Sequence, residues 1–297
     1  MRRASILALI LTTACLPHRA PNAGWVPRSV AAAHWVTASD GVRLRYLDAG
    51  RGRPILFVPG WAMPADIWEP QLRGLADRYR VIAIDPRAQG WSDAARDGLY
   101  HARRADDVHD LIEALGLRDV TLVGWSLAVP EVLSYVERHG TGRVAGVVLV
   151  DGGVWGPPVD AAARHAAMAE LQRDPAGYFA RFVRGMYATP QDSLYLDRVT
   201  AAARRTPTDA AMALYFDLYF GPERDRRIAL DRLDRPALYV SAGRPSAHAD
   251  TLRAHVPAAH AETFTGAGHA LFVDSAPRFN ALLDAFVRAE PHVGAQP

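Results

Sequence analysis

The sequence predicts an α/β fold: a doubly wound, mostly parallel eight-stranded sheet carrying an inserted helical cap. Three observations lead there. The apolar runs Ile55 to Val58, Val81 to Ile84, Thr121 to Val123 and Val147 to Val150 are continuous rather than alternating, as strands buried on both faces require. Each run is followed by a stretch with helical spacing, and strands alternating with helices imply right-handed crossovers in a parallel sheet. After Asp151 that rhythm stops, and four helical stretches follow with no strand between them.

Residues 1–15 read as a bacterial export signal. Arg2 and Arg3 precede the apolar run Ala4 to Leu11, which is too short to remain in a bilayer as a spanning helix. Thr12-Thr13-Ala14-Cys15 resembles a lipoprotein processing box, which would make Cys15 the lipidated first residue of an exported, periplasmic or membrane-anchored chain. Ordinary signal cleavage somewhere in Ala14 to Gly24 is the alternative. Cys15 is the only cysteine, so no intramolecular disulfide can form. Residues 16–33, rich in Pro, Ala and Arg, read as a tether.

The core then falls into two parts, 34–153 and 233–290. Alternation in Trp35 to Thr37 and Val42 to Leu47, separated by Ser39-Asp40-Gly41, gives an opening hairpin. Helices are expected over Ala65 to Arg78, His101 to Leu115 and Leu127 to His139. The cap, 154–232, contains Asp160 to Arg173, Tyr178 to Tyr187, Leu194 to Ala203 and Ala210 to Phe220. Its aromatic residues either line an apolar pocket or pack a core, since helical spacing suits both. The second part holds strands Pro236 to Val240 and Glu262 to Phe264, helices Ala249 to His255 and Pro277 to Arg288, and is followed by a tail, 291–297.

Composition narrows the chemistry. Of 297 residues, 49% are hydrophobic and 22% charged, which suits one large α/β domain with an insertion. The net charge is only +2, with arginines scattered among acidic residues, so no nucleic-acid partner is expected. Every basic residue of the Lys/Arg class is arginine, which removes Schiff-base chemistry on a lysine amine. No metal motif is present: His248, His255 and His260 lack the spacing of zinc hydrolases and read as surface residues. No cofactor is called for.

Chemistry concentrates at Gly124-Trp125-Ser126-Leu127-Ala128, where a strand turns sharply into a helix. Such an elbow projects the serine hydroxyl above the sheet edge, beside unpaired N–H groups of the helix start. A buried serine in an ordinary strand–helix junction is the structural alternative. A serine needs a base, and His269, after the late loop Gly266-Ala267-Gly268, is the candidate. An oxyanion needs two N–H donors: Leu127 follows the serine, and Trp61 follows the turn Pro59-Gly60 at the end of another buried strand.

Together with Asp85-Pro86-Arg87-Ala88-Gln89-Gly90-Trp91-Ser92, these segments resemble the α/β-hydrolase fold superfamily of esterases, cofactor-free haloperoxidases, C–C bond hydrolases and dehalogenases, from His34 to Arg288. Pro59 stands where the superfamily usually has histidine, and Ala128 where the last elbow glycine is usual. The resemblance implies a catalytic acid, and the usual position for it, Gly243-Arg244-Pro245-Ser246, ends in serine. Some relatives place the acid after the sixth strand, which here is Asp151; Asp250 is the reserve. Asp85 is expected to cap a strand end and Arg87 to bond nearby carbonyls, neither with a catalytic role. The implied function is serine hydrolysis of a small acyl compound through Ser126, His269 and Asp151. A haloperoxidase or C–C hydrolase with the same triad, or a binding protein with a decayed one, are the alternatives.

Overall fold

The computed structural model describes residues 31–154, 160–221 and 227–290. The export segment with Cys15, most of the tether and the tail lie outside the described residues.

Eight strands form one sheet: β1 (Ala32–Thr37), β2 (Arg43–Gly50), β3 (Pro54–Val58), β4 (Arg80–Ile84), β5 (Val120–Trp125), β6 (Val144–Val150), β7 (Ala237–Ala242) and β8 (His260–Phe264). Their spatial order is β1-β2-β4-β3-β5-β6-β7-β8. β2 runs antiparallel to β1 and to β4, and all other neighbours are parallel. The hairpin begins slightly earlier than its sequence pattern suggested. Ala32 and Ala33 already pair with Asp48 and Leu47, whereas two small alanines carry no visible alternation.

Successive residues of the central strands face opposite cores. Ile55 and Phe57 join Trp68, Leu72 and Phe272 on one side, while Leu56 and Val58 join Val108, Leu111 and Val132 on the other. This two-sided burial is why the runs are apolar at every position.

After β3, a 3-10 turn, Ala65–Trp68, leads into α1 (Glu69–Leu75). The sequence suggested one helix here; Pro70 lacks an N–H and sits in the first turn, so the α-helix starts afresh there. The other two helices of this half are α2 (His101–Ala114) and α3 (Ala128–His139). Among the described residues, the insertion between β6 and β7 contains α4 (Ala161–Arg173), α5 (Pro175–Gly185), α6 (Ser193–Ala203), α7 (Thr208–Phe220) and the short α8 (Arg227–Asp231). Asp160, Asp174 and Asp192 cap α4, α5 and α6 by accepting from the amides of Ala163, Gly177 and Tyr195. The chain then adds α9 (Ala247–His255), α10 (Leu271–Asp274) and α11 (Ala276–Ala289). α8 and α10 went unnoticed in the sequence because five and four residues are too few to show a helical period.

Candidate active site

Ser126, Asp151 and His269 follow β5, β6 and β8, all at the carboxyl edge of the sheet, where ligands sit in open α/β folds. Ser126 has φ 57° and Asp151 φ 45°, left-handed conformations unusual for residues with a side chain. Backbone bonds hold both positions: the Ser126 amide donates to the Val150 carbonyl, and the Asp151 amide to that of Val240. Each strand end thus pins the next.

His269 Nε2 lies 2.9 Å from Ser126 Oγ, and His269 Nδ1 lies 2.6 Å from Asp151 Oδ2. A carboxylate can only accept, so Nδ1 carries the hydrogen and Nε2 is left as the acceptor for the serine proton. The other Asp151 oxygen accepts from the Ala242 amide at 2.9 Å, which fixes the carboxylate plane. The indole of Trp125, the residue before the serine, donates to the His269 carbonyl at 2.9 Å. The loop that carries the imidazole is therefore tied to the elbow that carries the hydroxyl.

A second anchor is Asp274, at the end of α10. Its carboxylate accepts from the amides of Gly268 (2.7 Å) and Ala188 (2.8 Å) and from the Thr189 hydroxyl (2.6 Å). Burial acts to raise its pKa, but the donors Thr189, Ala188 and Gly268 outweigh it and hold the carboxyl below its ordinary value. A Cβ on Gly268 would lie 2.6 Å from the Ala188 amide nitrogen and the Met186 carbonyl oxygen, so only glycine lets the histidine loop meet the insertion this closely. Neither Trp125 nor Asp274 stands out in the sequence, because Trp125 meets a carbonyl 144 residues on and Asp274 joins the nearby Gly268 to Ala188, 86 residues back.

The two sequence-predicted oxyanion donors belong to the segments next to the serine. Leu127 begins the turn into α3, where helix N–H groups have no partner within the helix. Gly60, the residue before Trp61, packs so tightly that an added Cβ would lie 3.0 Å from Ser126 Cβ. The Trp61 ring points into the insertion. Its indole donates to the Ala211 carbonyl at 2.8 Å and is surrounded by Tyr178, Phe179, Phe182 and Tyr215. The remaining aromatics divide: Tyr187 contacts Tyr195, Tyr219 packs on Tyr215, and Phe216 is 51% exposed.

The other candidates find different roles. Asp250 projects into solvent from α9, its side chain 80% exposed and paired with Arg253, so it does not approach His269. Ser246, in the usual place of the acid, instead caps α9 by accepting from the His248 amide. His248 is half-buried rather than a surface residue; burial lowers its pKa against the pull of Asp151. Asp85 does serve as an anchor, accepting from the amides of Ala65 and Trp91 and from Arg45. Arg87 departs from expectation. Its guanidinium forks onto Asp107 at 2.6 Å and reaches Asp40 at 2.8 Å, and among the described residues it meets one carbonyl, that of Asp97. Buried guanidinium needs countercharge more than it needs dipoles.

Residues 53–240 match the alpha/beta hydrolase fold family, and the chain belongs to that family. A non-heme haloperoxidase of Rhodococcus erythropolis is 32% identical over 283 residues, covering 86% of this chain and 99% of that protein. The non-heme chloroperoxidase CPO-A1 of Kitasatospora aureofaciens is 46% identical over 115 residues, a match that spans 38% of this chain and 42% of that protein's length. Among solved structures, an esterase from Exiguobacterium antarcticum superposes with a TM-score of 0.80 at 22% identity, covering 87% of this chain and all of that one, which is likeness of fold.

Proposed function

We propose that this protein is a serine hydrolase that cleaves an ester or related acyl compound by way of an acyl-enzyme. Ser126 Oγ attacks the carbonyl carbon while His269 Nε2 takes its proton, and Asp151 steadies the imidazolium that results. The amides of Trp61 and Leu127 donate to the tetrahedral oxyanion. His269 returns the proton to the leaving group, then activates the water that releases the acid. The helical insertion acts as a cap over the acyl pocket. The single observation carrying this reading is the unbroken line of contacts from Asp151 through His269 to Ser126. A fluorophosphonate probe should label the protein, Ser126→Ala should abolish the label, and p-nitrophenyl esters of graded acyl length should be turned over. A folded protein that neither labels nor hydrolyses any of them would instead be a binding protein with a decayed site.

The names of the two haloperoxidase relatives favour a second reading in which hydrogen peroxide competes with water for the acyl-enzyme and releases a peracid. Peroxide-dependent halide oxidation that requires both Ser126 and an added carboxylic acid would establish it. We also propose export with lipidation at Cys15; failure to incorporate labelled palmitate in a bacterial host would remove the lipid.

A further inference from the structure

We infer that Gln89, held by the buried pair Arg104–Glu131, is the positioning residue that aims the Trp61 amide at the oxyanion. The inference rests on the serine-hydrolase reading above and deepens it. Gln89 Nε2 donates to the Gly60 carbonyl at 3.0 Å and to the Met63 carbonyl at 3.1 Å. Its Oε1 accepts from Arg104 Nη1 at 3.0 Å. The amide orientation follows from its neighbours: arginine has no acceptor and a carbonyl no donor, so only this way round satisfies both ends.

A planar trans peptide points its C=O and its N–H in opposite directions. Whatever fixes the Gly60 carbonyl therefore fixes the Trp61 N–H. Gln89 grips that carbonyl from one side, with help from the Met63 amide at 3.2 Å, while Gly60 itself packs against Ser126. Glycine at position 60 offers little resistance to a peptide flip, which makes an external grip necessary.

The grip is itself anchored. Arg104 Nε lies 2.8 Å from Glu131 Oε1, and both side chains are 1% exposed. Burial pushes the Glu131 carboxyl up to about 8 against the pull of Arg104, so this pair is expensive to bury. Glu131 sits on α3, the helix that begins at the serine elbow, and Arg104 on α2. The oxyanion loop is thus gauged against the nucleophile helix through three side chains.

The test is steady-state kinetics of Gln89→Met, of similar length but without the amide, and Gln89→Asn, too short to span Arg104 and both carbonyls. Active sites are counted by fluorophosphonate titration, and a trifluoromethyl ketone, which forms a tetrahedral oxyanion adduct on serine, serves as inhibitor. The expected result is a fall in kcat per titrated site of about 10²-fold for Gln89→Met, with KM within about twofold and the inhibition constant raised in parallel with the loss in kcat. Gln89→Asn should fall between it and the unsubstituted enzyme, and stands alone if Gln89→Met does not fold. Unchanged kcat per titrated site, or a loss confined to KM or to thermal stability, overturns the inference and leaves the serine-hydrolase reading intact. An unsubstituted protein that neither labels nor turns over overturns both.

Discussion

Asp151 and Asp250 differ by what surrounds them more than by where they fall in the chain. Asp151 is fixed by one backbone donor and faces the imidazole at 2.6 Å; Asp250 faces water and a neighbouring arginine. Asp151→Asn should lower kcat by roughly 10³- to 10⁴-fold, since an amide N–H facing Nδ1 favours the wrong tautomer. Asp250→Asn should stay within about twofold, because exposed ion pairs contribute little. Ester turnover by the two folded variants checks this, and the reverse ranking would move the acid to α9. Ser126 was legible because it ends the buried strand β5 at a glycine turn, His269 because of the loop Gly266-Ala267-Gly268 before it, and Asp151 only through the superfamily resemblance, since Ser246 stands in the usual place of the acid. Gln89, Arg104 and Glu131 were not, since nothing in a linear pattern says that an arginine and a glutamate 27 positions apart meet out of water.

At the scale of elements, the strands were legible where two-sided burial makes them uniformly apolar, and the long helices where they show a period. Short helices and the docking of the insertion depend on contacts made after folding. Asp274 is the clearest case. It belongs to α10, a four-residue helix, yet it joins the histidine loop to the segment between α5 and α6. Asp274→Ala strands the Gly268 and Ala188 amides. It should cost about 1–3 kcal/mol of stability, read by denaturant unfolding, and reduce kcat severalfold as the His269 loop loosens. Retained stability with full turnover would mean that other contacts hold that loop.

For the whole molecule, the end of the described chain returns to the underside of the sheet. Glu290 accepts from Thr121 on β5 and from Arg53, and burial raises its carboxyl to about 7 from an ordinary 4.5. The folded protein keeps this proton up to about pH 7, while the unfolded chain releases it near pH 4.5. Stability from this group is therefore full below pH 4.5 and is lost as pH rises through 7, by roughly 3 kcal/mol at about 1.4 kcal/mol per unit. Glu290→Gln should flatten that decline, as thermal unfolding at pH 5 and pH 8 would show; parallel profiles would place the titration elsewhere. The order of the three site residues along the chain has its own consequence. Serine and carboxylate precede the insertion, and the imidazole follows it. A nascent polypeptide leaving the ribosome carries its hydroxyl without the imidazole until residue 269 emerges, so the three groups can meet only after the whole insertion has been made.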